Sequence, residues 1–291
     1  MILVFGTICL DRVRRIDRYP EVGTYAEVRD ESLILGGEAV NTACALHLWG
    51  AEYGLYGNGV GEGAWGELLA VMLRERGLRM LSPLDSRSTA PVCDIYVSDD
   101  GHRTMFGLGF KNLAGMIDLD RIPYTESGWF TVDSNFGEVS RFVVRRAKKA
   151  GMRVYAMDLY RDDEPLGAGD VWQGSTDVVG RRDDPEENLQ WVAGWVARYG
   201  CTTILTDGPH GLVYGAPGQE PTFIPSFMKV QVVDSTGAGD AFRAGMLFGL
   251  HAGWDVARTL RFAMASGALS CRTLGASTGA APLDELELAI R

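Results

Sequence analysis

Short apolar runs alternate with longer amphipathic stretches along most of the chain. Residues 2–8, 53–58, 129–133, 153–158, 177–179 and 202–206 are runs rich in β-branched, aliphatic and aromatic side chains, and they predict strands. Residues 39–49, 65–76, 139–150 and 186–199 carry apolar positions at helical spacing, and each predicted helix is followed at once by a glycine: Gly50, Gly77, Gly151 and Gly200. This alternation predicts an α/β fold, a mostly parallel sheet flanked by helices on both faces. Ligands in such sheets gather at the carboxyl ends of the strands. Two segments break the pattern. Residues 24–34 are extended in character, and residues 91–106 read as a hairpin turning at Asp99-Asp100-Gly101. Together they predict a small sheet projecting from the main one.

Composition narrows the partners more than the fold. The 291 residues carry 38 acidic against 28 basic side chains, a net charge of −10, which argues against a nucleic-acid or anionic-membrane surface. No run of apolar residues is long enough to predict a membrane span. The apolar first ten residues are followed, not preceded, by Arg12, Arg14 and Arg15, so they read as a strand rather than a leader. Five scattered cysteines with no C-x-x-C point to reduced thiols in a cytoplasmic protein. The four histidines include no H-x-x-x-H pair, so no zinc site is expected.

The chemistry concentrates at residues 234–242, DSTGAGDAF. An apolar stretch at residues 229–233 precedes it and reads as a strand; a helical pattern at 241–251, closed by Gly253, follows it. A glycine-rich turn between strand and helix is suited to holding an anion, because backbone N–H groups at a helix start point outward unpaired. The amides of Gly237, Ala238 and Gly239 fit that role. Asp240 would repel a phosphate unless it had work there, and accepting a proton from an attacking hydroxyl is work that fits. A second GAGD, Gly167-Ala168-Gly169-Asp170, lacks the preceding strand and reads as a loop.

Near the N-terminus, Gly36-Gly37-Glu38-Ala39-Val40-Asn41 places two glycines before a helix, with Asn41 offering both a donor and an acceptor. Asp11, at the end of the first predicted strand, reads either as a turn residue or as a carboxylate for hydroxyl groups. Glu38 reads either as a helix-start carboxylate or as a side chain facing a ligand. The string Gly61-Glu62-Gly63-Ala64-Trp65-Gly66 is a formal G-x-G-x-x-G, with Asp85 posing as its ribose acid. The run before it is interrupted by Gly57 and Gly59, so it is taken as a structural turn. There is no G-x-x-x-x-G-K-[ST], which excludes a P-loop kinase.

In order and spacing, these motifs resemble those of the ribokinase-like (PfkB) carbohydrate and nucleoside kinases. DSTGAGD resembles D-T-x-G-A-G-D, with Ser235 at a threonine position. Gly36, Gly37 and Asn41 resemble G-G-x-x-x-N, with Ala43, Ala45 and Gly50 at its small-residue positions. The resemblance implies a ribokinase-like α/β fold over residues 1–291 as a single domain, with residues 11–35 and 89–110 forming a β lid. It implies phosphoryl transfer from ATP with Mg²⁺, and leaves a monovalent cation open. Asp240 would be the base, with Gly237, Ala238 and Gly239 as the anion hole. Asp11, Gly36, Gly37, Asn41 and Arg103 would bind a sugar or nucleoside; Thr206, Gly208, Asp234 and Gly275 would lie near the nucleotide. A homodimer through the lid is a further implication. Besides Ser235, the chain departs from the family where Gly63 replaces the aspartate of V-G-x-D-x-x-G, where Tyr160 replaces the asparagine of D-x-N after Asp158, and at residues 180–187, which lack the N-x-x-E that supports metal-bound water. Asp184, Glu186 and Glu187 are the candidates to stand in, and the metal ligands stay unassigned. Two other function classes remain: a catalytically silent sugar-binding relative, favoured by the missing N-x-x-E, and an NAD-dependent oxidoreductase built on Gly61 to Gly66.

Overall fold

The computed structural model describes residues 1–84, 88–100, 102–158, 170–179 and 184–291. From the N-terminus the chain forms β1 (Ile2–Gly6), β2 (Cys9–Ile16), β3 (Val28–Gly36), α1 (Glu38–Leu48), β4 (Tyr53–Gly57) and α2 (Gly63–Glu75). Next come β5 (Val92–Val97), β6 (Arg103–Leu108), β7 (Trp129–Val132), α3 (Glu138–Ala150) and β8 (Arg153–Met157). The second half adds β9 (Val171–Ser175), the one-turn α4 (Thr176–Val179), α5 (Pro185–Tyr199), β10 (Thr202–Thr206), β11 (Gly211–Gly215) and β12 (Thr222–Pro225). It closes with α6 (Ala238–Ala252), α7 (Val256–Ser270) and α8 (Leu283–Ala289).

Eight strands make one sheet in the order β12-β11-β10-β9-β8-β7-β1-β4. All neighbours run parallel except β10–β11 and β11–β12. The alternation along β1 shows why both faces are covered. Ile2 and Val4 join a core with α1, α6 and α7, while Leu3 and Phe5 join a second core with α3 and the tryptophans of α5. The parallel strands therefore read as continuous apolar runs rather than alternating ones.

A separate four-stranded sheet, β3-β2-β5-β6, stands beside the main one. It contains the predicted hairpin, β5 paired antiparallel with β6. It also contains β2, whose first residues the apolar pattern merges with β1: the chain breaks after Gly6 and begins a new strand at Cys9. Arg12 of β2 is held by Asp94 of β5 through two hydrogen bonds of 2.5 and 2.8 Å, and Arg14 by Glu31 of β3 at 2.7 Å.

Other boundaries differ from expectation for identifiable reasons. Residues 177–179 lie in α4, and the strand is Val171–Ser175 just before it; Trp172 gives that strand its buried anchor. Residues 229–233 form no strand. Val232 and Val233 are 61% and 48% exposed with no ladder to join, and the segment is tied by the Val233 and Asp234 amides to the Cys271 carbonyl. The strands β11 and β12 and the helices α7 and α8 had no expectation. Of the second GAGD, residues 167–169 lie outside the described residues, as do Tyr160, Asp85 and positions 180–183. No helix among the described residues is long and apolar enough to cross a membrane. The five cysteines are unpaired, and four of them are buried.

Candidate active site

The carboxyl ends of β1, β7 and β8 meet the N-terminal ends of α1 and α6, and that seam collects the chemistry. α6 begins after Gly237, whose φ of 76° is left-handed, and ends at Gly253, also left-handed. A Cβ at Gly237 would lie 2.3 Å from the Ala276 side chain, so both backbone angle and space require glycine. The Ala238 amide closes a turn on the Ser235 carbonyl at 3.3 Å. The Gly239 carbonyl accepts from Gln173 Nε2 at 3.1 Å, which fixes the first turn of α6 against β9. With the helix starting at Ala238 and that residue's amide turned to Ser235, the remaining amides of the first turn lie at a helix N-terminus, a position that suits an anion.

Asp240, in that first turn, is buried with a side chain 6% exposed. Asn41 of α1 donates to its Oδ2 at 2.8 Å, and Arg243 donates to its Oδ1 at 3.1 Å. Two motifs 199 residues apart thus meet in one hydrogen bond. Burial pushes the Asp240 carboxyl up to about 7, against the pull of Arg243 and the Asn41 bond, with Asp133 and Asp158 adding to the rise.

Asp11 belongs to β2 rather than to the end of β1, and it points inward, 6% exposed. A Cβ on Gly36 would fall 2.1–2.2 Å from the Asp11 carboxylate atoms, so the carboxylate occupies the space that only glycine leaves open. Burial pushes the Asp11 carboxyl up to about 6, eased by a hydrogen bond from the Cys9 thiol at 3.3 Å. Gly37 directly precedes α1, and Glu38 opens it. Glu38 Oε1 accepts from Asn135 at 3.1 Å, while Oε2 is shut off from solvent and has no partner. Burial and then Asp133 and Asp240 raise the Glu38 carboxyl well above the usual range.

Sequence reading named Asp158 but missed Asp133 and Arg243, and placed none of the three beside Asp240. Asp133, just past β7, accepts from the Thr7 amide at 2.7 Å and is fully buried, which raises its carboxyl. Asp158, just past β8, has a φ of 52°, and burial raises it to about 6. Its Oδ1 is buried without a partner. Arg243 is wholly buried. A charged residue three positions after Asp240, inside the apolar pattern of residues 241–251, was the available signal.

The nucleotide-side candidates divide into two groups. Asp234 is a tie between loops: Oδ1 accepts from the Thr236 amide and hydroxyl at 2.9 and 2.6 Å, and Oδ2 from the Gly275 amide at 2.9 Å. Thr206 ends β10 with its hydroxyl on the Gly174 carbonyl at 3.1 Å, and Gly208 opens the one-turn helix that follows. Arg103, on β6, reaches the motif loop, donating to Thr236 Oγ1 at 2.7 Å and lying 3.9 Å from Asp234. The small sheet is therefore in contact with the glycine-rich turn.

Comparison with known proteins bears on the fold and the family. The model of the pfkB family carbohydrate kinases matches residues 170–283, the part of the chain that carries α6 and its glycine turn. The chain is 28% identical to an uncharacterized sugar kinase of Dictyostelium discoideum, over 98% of this chain and 96% of that protein. The ribokinase of Giardia lamblia superposes with a TM-score of 0.84 at 18% identity, covering 99% of this chain and 98% of that one. The ribokinase of Arabidopsis thaliana, complexed with ribose and ATP, gives 0.80 at 20% identity over 100% and 98%. In sequence over residues 170–283, and in fold over nearly the whole chain, the protein is similar to the PfkB family of carbohydrate kinases.

Its fold is ribokinase-like, with the small sheet in the place of the lid. The G-x-G-x-x-G of residues 61–66 runs from the loop after β4 into the first turn of α2, and β4 lies at the end of the large sheet's strand order rather than in its centre. That is a poor position for a dinucleotide site. Among the described residues, no group of three or more His, Cys, Asp or Glu side chains could hold a metal ion. Asp184 caps α5 through the amides of Glu186 and Glu187, at 3.0 and 3.1 Å.

Proposed function

We propose that this kinase transfers the γ-phosphoryl group of ATP to a primary hydroxyl of an unphosphorylated sugar, related polyol or nucleoside, with Asp240 as general base. The observation that carries the reading is the position of Asp240: buried, at the start of α6, and joined to Asn41 of the diglycine motif. The substrate hydroxyl oxygen forms a bond to the γ-phosphorus while the bond to the β–γ bridging oxygen breaks, and ADP leaves. The hydroxyl proton passes to Asp240. Amides at the start of α6, from the Gly237, Ala238 and Gly239 turn, face the charge on the transferred group.

Asp11, Gly36, Gly37 and Asn41 form the sugar side of the pocket; Arg103, expected there too, is held by Thr236 of the glycine-rich loop and would reach the substrate from the lid. Thr206, Gly208 and Gly275 border the nucleotide, and Asp234 holds its loop in place. Among the described residues no carboxylate cluster would hold Mg²⁺, so the ion would come with the nucleotide, where it would supply neutralisation of phosphate charge. Glu38 sharpens the substrate class. Its unpartnered Oε2 suits a hydroxyl or amine donor and offers no counter-charge to a phosphorylated sugar, so E38A is expected to change the ranking of substrates. An unchanged substrate ranking removes Glu38 from recognition.

Residues 1–291 act as one unit, with segments 11–35 and 89–110 as its lid. The outer strand β6 exposes Met105, Phe106 and Leu108, each more than half accessible, an apolar edge suited to a second copy of the chain. Light scattering of the native protein and of F106E tests that homodimer. The function itself is tested by ADP release from Mg-ATP across free sugars, sugar acids and nucleosides, with D240N alongside. Turnover on a panel member that D240N abolishes supports the reading. Turnover that survives in D240N removes Asp240 as the base.

A further inference from the structure

Arg243 is a costly residue to bury. It is 0% exposed, on a helix face packed against α1, where an uncharged side chain would avoid desolvating a guanidinium. Its contacts are specific. Nε donates to Thr42 Oγ1 at 2.9 Å, and one terminal nitrogen donates both to the Glu38 carbonyl at 2.6 Å and to Asp240 Oδ1 at 3.1 Å. The other terminal nitrogen is buried without a partner. Two anchors on α1 thus fix the plane of the guanidinium, and its third bond falls on Asp240, one turn earlier on its own helix. Asn41 holds the opposite oxygen of the same carboxylate.

We propose that Arg243 is a positioning residue for phosphoryl transfer: anchored on α1, its guanidinium keeps the Asp240 carboxylate charged and aimed at the substrate hydroxyl. This rests on the reading of Asp240 as base. The groups around that carboxylate show why a cation is needed. Glu38 from α1, Asp133 beyond β7, Asp158 beyond β8 and the Tyr155 phenol of β8 all face the same charge cluster, and each feels Arg243. Without the guanidinium, Asp240 would sit among three buried carboxyls with Asn41 as its remaining donor. A base that is protonated before the substrate arrives accepts no proton. A guanidinium held by two anchors also fixes direction, which an ammonium cannot do in the same way.

The test compares pH profiles of kcat/KM for the native enzyme, R243Q, R243K and T42V, with D240N as reference and circular dichroism confirming folding. R243Q is expected to move the acid limb upward by about one pH unit or more, with kcat at neutral pH falling more than KM changes. R243K retains the charge, so its limb stays nearer the native position while kcat falls. T42V leaves Arg243 in place but removes one anchor; it should lower kcat, by up to roughly 10²-fold if the carboxylate is misplaced by about an ångström, without moving the limb. If R243Q does not fold, R243K and T42V decide the matter by the same contrast. Folded variants that lose thermal stability but keep native kcat and a native limb show that Arg243 only packs, and overturn the proposal. Turnover surviving in D240N removes the base itself, and the proposal with it. An inactive D240N beside an unchanged R243Q overturns the role of Arg243 alone.

Discussion

Asp170 and Asp240 each end the same four letters, GAGD, and the protein uses them in different ways. Asp170 directly precedes β9. Its carboxylate takes Lys148 Nζ at 2.8 and 2.9 Å and the Val154 amide at 2.7 Å, with a side chain one-third exposed. It pins α3 and β8 to β9, and water reaches it. Asp240 has no such access. Its cation is a buried guanidinium, its other donor is the Asn41 amide, and its neighbours are carboxyls. The difference lies in the partners and the solvent, not in the motif. A hydrated aspartate with a lysine is a strap; a dry one held by a fixed arginine can serve as a base.

The largest expected effect separates the two directly. D240N should lower kcat/KM by about 10²–10⁴ or more, measured as ADP release, while thermal unfolding stays cooperative. D170N should leave turnover near native and act only on stability. A D170N enzyme as inactive as D240N would break the comparison. Next in size is G237A. A non-glycine residue at a left-handed φ costs about 1–2 kcal/mol, and the added Cβ meets Ala276 at 2.3 Å. G237A should therefore lower Tm by several degrees and lower kcat, because the amides at the start of α6 shift with the turn.

A smaller effect, with a distinctive sign, is pH dependence. With Asp240 as the proposed base, activity would require it ionised, so kcat/KM should rise with pH through about 7. Stability should run the other way. Asp11 and Asp158 are raised to about 6 and Asp240 to about 7, against about 4 in the unfolded chain. The native state therefore binds more protons, and the stability these groups contribute is full below about pH 4 and lost as pH rises through 6–7. Tm measured across that window should fall more steeply in the native protein than in D240N. D170N should keep the native slope.

How much of this was legible follows the same division. Strands 202–206 and 153–158 and the four glycine-terminated helices showed in sequence because apolar period and C-terminal glycine are local signals. The glycine turn and Asn41 showed because they are contiguous motifs. The strand at 171–175 did not, because its anchor is Trp172 packing against the tryptophans of α5, a contact no local pattern reports. Asp133 and Asp158 each stood at the end of a predicted strand, yet nothing in the sequence places them beside Asp240. Arg243 was visible only as an oddity in an apolar helix. Its use depends on Thr42 and Glu38, about 200 positions away. The site was legible where chemistry is written in adjacent residues and hidden where it depends on which helices meet.

The smallest effect tests the other half of the comparison. K148M removes the cation from Asp170 but leaves the Val154 amide bond, so the strap loosens without breaking. A partly exposed ion pair is worth about 0–1 kcal/mol because water and ions screen it. K148M should therefore lower Tm by only a few degrees at low salt, and the gap to native should narrow in high salt. Turnover should be unchanged at both. The guanidinium at Asp240 lies out of reach of that screening, so the losses in R243Q should persist when salt is raised. A K148M gap that ignores salt would mean that the Asp170 pair is shielded more like Asp240 than its exposure implies, and the contrast between strap and base would then rest on Arg243 alone.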